Sequence, residues 1–247
     1  IKLFKKNIEN INNKEGFITF NKKKIFYDLI ILCTGGRSNF YSMIEEERSI
    51  KKDYREIALT TIIKHNAKIE NVSQFFLKEG PLAILPFQKK VFSTVWSVSR
   101  KFFDINKKNI RNILTKKLRI LLKTKSIKNI VNIQFFPINL NLKTKYFKKN
   151  VLILGDGLHT VHPMAGQGFN LVLRDIKKLD ELISRTLKLG LALKTSSVLT
   201  EFCKARKSEN IILGLGIDLT NTFFKNSKLF FPVKKTILNN IKKFSFI

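Results

Sequence analysis

The stretch Val151-Leu152-Ile153-Leu154-Gly155-Asp156-Gly157-Leu158-His159-Thr160-Val161-His162-Pro163-Met164-Ala165-Gly166-Gln167-Gly168-Phe169-Asn170 decides how the rest of the chain is read. Its first four residues are wholly apolar and end at a glycine, which predicts a short buried strand. Such a strand delivers Gly155 and Asp156 to its C-terminal edge, where open α/β sheets bind ligands. An Asp there accepts hydrogen bonds from sugar-like hydroxyls. Further on, Gly166-Gln167-Gly168 removes side chains just where a helical pattern begins. Bare N–H groups at a helix start approach a flat ligand closely and favour negative charge beside it. Pro163 stiffens the connecting loop. A lone Gly-Asp reads more simply as a strand-ending turn. The fixed order of strand, Gly-Asp, His, Pro, Gly-Gln-Gly, Asn and helix is what argues for a site.

Outward from this stretch, Gly16 to Phe20 and Ile25 to Cys33 read as strands. The second is nearly continuously apolar (Leu29 to Leu32), as a strand buried on both faces should be, and ends in the turn Thr34-Gly35-Gly36. Four β-rich runs follow, Glu56 to Lys64, Ser73 to Lys78, Leu82 to Phe87 and Val91 to Val98. Breaks at Asn66, Gly80-Pro81 and Gln88-Lys89 predict an antiparallel meander or mixed sheet. Asn106 to Lys123 places Ile110, Ile113, Leu114, Leu118, Leu121 and Leu122 on one helical face. Ile130 to Ile138 returns to strand. After Gly168 a long helix carries Leu173, Ile176, Leu179, Leu182, Ile183 and Leu187, and Gly190 stops it. Helix is expected again over Ser197 to Phe224, and once more from Pro232.

The 247 residues are 44% hydrophobic, with 22 Phe, so the chain has material for a core. Its net charge of +29 comes from 47 Lys and Arg against 18 Asp and Glu. These cations are scattered, without the clustering and interleaved aromatics of a nucleic-acid groove. No specific nucleic-acid partner is therefore expected, and AT-rich codon bias is the simpler cause. Scattered lysines still attract an anionic membrane surface. Cys33 and Cys203 make no disulfide framework, which fits a reducing compartment. No apolar run reaches the ~18 residues of a membrane span. The chain opens at Ile1 in a charged stretch, with no signal peptide, and reads as a truncated product or partial sequence. His159 and His162, at i and i+3 in a glycine-rich loop with no Cys, do not read as a metal site.

The decisive stretch resembles the second FAD-binding motif of the flavoprotein hydroxylases related to para-hydroxybenzoate hydroxylase. It is most similar to the ubiquinone-biosynthesis branch, whose pattern is Gly-Asp-Ala-Ala-His, then His-Pro, then Ala-Gly-Gln-Gly-x-Asn-Leu-x-Leu-x-Asp. This chain matches from Gly155 through His162-Pro163 to Asp175 and departs only at Gly157-Leu158, a change expected to alter packing more than chemistry. Gln74-Phe75, Gly80 to Phe87 and Ser93 to Ser97 resemble the same branch's sheet over the substrate pocket, with Trp96 read as core. Asp28 to Asn39 stands where the family carries Ala-Asp-Gly, but Gly35 replaces the Asp, so that carboxylate's pyrophosphate and NAD(P)H role is not carried over. No Gly-x-Gly-x-x-Gly occurs in the chain.

The resemblance implies an α/β fold. An incomplete FAD/NAD(P)-binding Rossmann-like domain would hold an inserted mixed or antiparallel β-sheet substrate domain, with a C-terminal helical region. Residues 1–50 would be the remaining FAD-domain part, 51–145 the substrate domain, 146–190 the Gly-Asp segment and its helix, and 191–247 the C-terminal helices. The implied cofactors are FAD and the reductant NAD(P)H. The implied reaction is insertion of one oxygen atom of O2 into a polyprenylated phenol. Gly155 and Asp156 would contact the ribityl chain, and Pro163, Met164, Gly166, Gln167, Gly168 and Asn170 would border the flavin ring. No residue of the chain is assigned as a catalytic acid or base; His159 is read as a structural hydrogen-bonding residue. The implied location is the cytoplasm, peripherally at the inner membrane surface, with a ubiquinone-biosynthesis complex as partner. Two other readings stay open: a non-catalytic remnant of the family, and a basic protein that binds RNA or a membrane surface.

Overall fold

Alternating polar and apolar residues near the start of the chain give a small antiparallel meander, β1 (Asn10–Asn12), β2 (Phe17–Phe20) and β3 (Lys23–Phe26). Ile11 and Phe17 are buried from it, while Lys23 and Lys24 face water. The computed structural model describes residues 2–36, 38–43, 49–127, 130–163, 166–195 and 197–225. Arg37, Met164, Ala165 and the helix expected from Pro232 lie outside these. The single strand expected over Ile25 to Cys33 is in fact two elements. Asn150 captures the backbone at Tyr27-Asp28-Leu29: its Nδ2 donates to the Tyr27 carbonyl at 2.8 Å, and its own carbonyl accepts from Ile30 N–H at 2.9 Å. The chain thereby leaves the meander, and β4 (Ile30–Leu32) starts in a different sheet. Ile30 and Leu32 are buried but Ile31 is 39% exposed, so β4 buries one face rather than the two expected.

β5 (Ser49–Lys64) leads into the second of two units, built on Asp53–Asn139. Here β6 (Ser73–Leu77), β7 (Gly80–Gln88) and β8 (Val91–Ser99) form the expected meander, and β8 pairs with β5. The turn expected at Gly80-Pro81 sits earlier, at Lys78-Glu79, and Gly80 already pairs with Leu77. Glycine is needed at 80 because a Cβ there would overlap the Ser97 carbonyl. Pro86 does not end its strand; β7 runs on to Gln88 through a register shift. The β6 partner stops at Ile84, so Pro86 needs no donor on that side.

The helix expected over Asn106 to Lys123 forms over a shorter span, and a separate short helix precedes it. α1 (Arg100–Asn106) is capped by the Ser99 hydroxyl, which accepts from Phe102 N–H at 3.2 Å, and α2 (Ile110–Leu121) follows a short break. Ile110, Leu114 and Leu118 of α2 pack with Leu59, Leu82, Phe92 and Trp96, covering one face of the sheet and burying Trp96 completely. β9 (Ile130–Lys143) carries the chain back to the first unit, Ile1–Lys52 with Leu140–Thr222. β10 (Phe147–Lys148) turns back onto β11 (Val151–Ile153), which lies parallel to β4 with Ile153 opposite Leu32. β12 (His159–Thr160) pairs with the end of β9. Two long helices finish the described chain, α3 (Gln167–Lys188) and α4 (Val198–Lys225). Gly190 stops α3 in the left-handed conformation, φ 70°, its N–H donating to Leu187 O at 3.0 Å. Leu179 and Leu182 of α3 and Val198 and Phe202 of α4 close over β4 and β11 as one core. Among the described residues no helix is long and apolar enough to cross a membrane.

Candidate functional site

β4 and β11 run parallel and end side by side, and each opens into a glycine turn. Leu154 N–H donates to Leu32 O at 3.0 Å, so their register holds up to the turns themselves. Thr34-Gly35-Gly36 follows β4, and Gly155-Asp156-Gly157 forms a single 3-10 turn after β11. The two turns touch: a Cβ on Gly36 would lie 3.7 Å from the Asp156 carbonyl and 3.6 Å from Thr160 Oγ1. Thr160 Oγ1 in turn donates to the Asp156 carbonyl at 3.0 Å. Gly35 and Gly155 have φ of +77° and +76°, and nothing lies within 4 Å of a Cβ built on either. These glycines are set by their backbone conformation and open onto free space. The Asp156 carboxylate is exposed beside them.

The start of α3 supplies the other wall. Gly166 is its N-cap, left-handed at φ 64°, with no side chain capping the first-turn amides. A Cβ there would also meet nothing within 4 Å. Orphan N–H groups at an uncapped helix start carry a partial positive charge. Gly166 N–H donates to Pro163 O at 3.3 Å, which closes the loop before the helix and places Pro163 next to it. Gly168 lies against Val161, and α3 packs on the Gly155–Gly157 turn. Pro163, Gln167 and Asn170 are exposed, with Asn170 Nδ2 donating to Gln167 Oε1 at 3.5 Å. Met164 lies outside the described residues.

Behind these turns lies a buried polar network that sequence reasoning did not assemble. His159 Nε2 faces Asp175 Oδ2 at 2.7 Å and therefore carries the proton, since an ionised carboxylate only accepts. Arg206 Nε donates to Asp175 Oδ1 at 2.6 Å, and Asn210 Nδ2 to both carboxylate oxygens at 3.1 and 3.3 Å. All four residues are at most 5% exposed. Burial alone would raise the Asp175 pKa, but the hydrogen bonds from His159 and Arg206 outweigh it and hold the carboxyl below its usual range. The network pins β12, α3 and α4 to one another, and His159 serves in it as a structural residue. His162 is fully buried, and desolvation pushes its pKa down to about 4, against a smaller opposing pull from Asp218. The contacts of Asp175 with His159 and Arg206 span distant parts of the chain. Only the motif's closing Asp hinted at them.

Two parallel strands ending in open glycine turns beside an uncapped helix start define an α/β protein of the nucleotide-cofactor class. A family model described as "FAD binding domain" matches residues 19–191. The chain belongs to that family. It is 27% identical over 274 residues to "Ubiquinone biosynthesis monooxygenase COQ6, mitochondrial" of Dictyostelium discoideum, covering 90% of this chain and 54% of that protein. It is 28% identical over 158 residues to "3-demethoxyubiquinol 3-hydroxylase" of Escherichia coli K12, covering 62% and 40%. The crystal structure of PqsL, a probable FAD-dependent monooxygenase from Pseudomonas aeruginosa, superposes with a TM-score of 0.75 at 18% identity, over 94% of this chain and 67% of that one, a likeness of fold. The chain spans about half the length of the curated relatives it matches first, 54% and 50%. The fold is accordingly that of an FAD-binding domain. The residues present fit the flavin end of FAD, because three glycines open onto free space next to one exposed carboxylate and one uncapped helix start.

Proposed function

We propose that this chain forms the flavin-seating and substrate-facing parts of a monooxygenase that hydroxylates the ring of a polyprenylated phenol in ubiquinone biosynthesis, with NAD(P)H and O2. The observation that carries this reading is the paired ending of β4 and β11 in open glycine turns, with Asp156 exposed at the second. FAD, when bound, supplies the redox chemistry. The chain's residues bind and orient. Asp156 accepts hydrogen bonds from ribityl hydroxyls, and Gly155 lets the backbone come close. The first-turn N–H groups of α3, reached past Gly166, Gln167 and Gly168, would hold the flavin end and favour negative charge beside them. Pro163 and Asn170 would border the ring.

Residues 51–145 are the substrate side. The sheet face opposite α1 and α2 exposes Ile62, Phe76 and Leu85, with Ile62 and Leu85 both opposite Ser93, and offers an apolar wall suited to a prenyl chain. An apolar substrate of that kind resides in a membrane, and scattered lysines favour peripheral attachment at the inner membrane surface over a purely cytoplasmic life. Gly35, which stands where the family carries Asp, favours a second reading, a non-catalytic remnant. Purification of the full chain separates the two. Yellow protein whose NAD(P)H oxidation is stimulated by a prenylated phenol is expected. Folded, colourless protein that stays inactive with added FAD would establish the remnant.

A further inference from the structure

We infer that Tyr41 is a positioning residue that locks the turn after β4 to the turn bearing Asp156, and that glycine at 157 provides the space this lock requires. Tyr41 sits in the 3-10 turn Asn39–Met43 and is 5% exposed. Its Oη donates to the Gly35 carbonyl at 2.5 Å and accepts from Thr34 Oγ1 at 3.0 Å, so the phenol fastens the first glycine turn by both of its polar functions. On its other side the same phenol lies directly on Gly157. A Cβ built at 157 would overlap both Oη and Cζ of Tyr41 and press on Ile153 Cγ2 at 3.0 Å. Lys143 covers the ring, its Nζ 5.3 Å from the centroid, and Lys143 N–H donates to Leu158 O at 3.0 Å, next to the second turn. Thr160 ties the Asp156 carbonyl to the strand that follows it, whereas Tyr41 bridges from one turn to the other.

The phenol's environment suits this task. Burial raises its pKa, the Thr34 hydrogen bond opposes this, and the charges of Cys33 and Asp156 add to the rise, so the hydroxyl stays a donor throughout the neutral range. The pair also explains the chain's departure from the Gly-Asp-Ala-Ala-His pattern. With tyrosine at 41, the methyl of an alanine at 157 has no room, and the glycine there is a steric complement. Glycine at this position, unlike Gly155, has no left-handed φ to explain it. The consequence is geometric: the backbone of Gly35 and Gly36 and the carboxylate of Asp156 are kept at one spacing. That this spacing serves a flavin rests on the function proposed above.

Amide hydrogen exchange on the full, flavin-free chain tests the lock. Tyr41→Phe keeps the ring and removes the hydroxyl. It is expected to speed exchange about tenfold at both turns, 34–36 and 156–158, the effect of losing one buried hydrogen bond, with α2 and β8 unchanged. Unchanged exchange, or acceleration at the first turn alone, would overturn the proposal. Gly157→Ala is expected to speed both turns more than Tyr41→Phe does, and a second change, Tyr41→Val, to relieve that excess and bring exchange at 156–158 back to the Tyr41→Phe level. Equal damage by Gly157→Ala with tyrosine or valine at 41 would also overturn it. FAD titration of wild type and Tyr41→Phe then separates the two claims. About tenfold weaker binding by the variant supports the positioning role. A wild-type chain that binds no FAD but shows the exchange pattern counts against the flavin reading alone, and leaves the lock in place.

Discussion

His162 carries a pH dependence into the stability of the fold. It is buried in neutral form, with its pKa lowered from 6.5 to about 4 by desolvation. The unfolded chain therefore binds a proton between these values that the folded chain refuses, and stability falls as pH drops through that window. At ~1.4 kcal/mol per pKa unit the loss approaches roughly 3 kcal/mol near pH 4. Asp175, held below its ordinary range, adds to the loss in the same direction once its carboxyl is forced to protonate. Urea midpoints measured from pH 7.5 down to 4.5 are expected to fall steadily, and His162→Gln to flatten the upper part of that decline. A wild-type midpoint constant over this range would contradict the buried, neutral assignment. His159 was legible as a hydrogen-bonding residue only through the resemblance. Its partner Asp175 is a turn and two helix turns away in sequence, and nothing in local periodicity points to Arg206 and Asn210.

The start of α3 depends on glycine for backbone reasons. Gly166 holds a left-handed conformation that a β-branched residue resists, at a cost of about 1–3 kcal/mol. Its missing side chain also leaves the helix start open. Gly166→Val is expected to keep far-UV helicity but to weaken flavin binding tenfold or more, read by FAD fluorescence. Equal binding by the variant would show that no ligand approaches this helix start. The helix itself, its stop at Gly190 and the meander of β6 to β8 were readable from period and punctuation. The strand boundary that failed has a cause remote in sequence. Ile25 to Cys33 looked continuous because apolar runs carry no sign of a change of partner, and here Asn150, distant in sequence, divides the run. Tyr41 escaped notice for the same reason, since a lone tyrosine in a loop gives no hint that Gly157 lies beneath it.

Two units with separate cores make up the molecule, one gathered around β4 and β11, the other around Trp96 and α2. The wide net charge of +29 has no comparable focus in the sequence and is better understood as composition than as a site. The proposed flavin seat instead lies where main chain is left bare, in a cradle of glycines with Asp156 at its rim. A map of FAD-dependent amide protection across the whole chain examines that cradle most directly. Protection is expected at 34–36, 155–157 and 166–170, and Asp156→Ala should need about 10–100 times more FAD to reach it, the cost of losing hydrogen bonds to a charged acceptor. Protection lying elsewhere, or the same protection at the same FAD concentration in Asp156→Ala, would contradict a flavin seated on these turns.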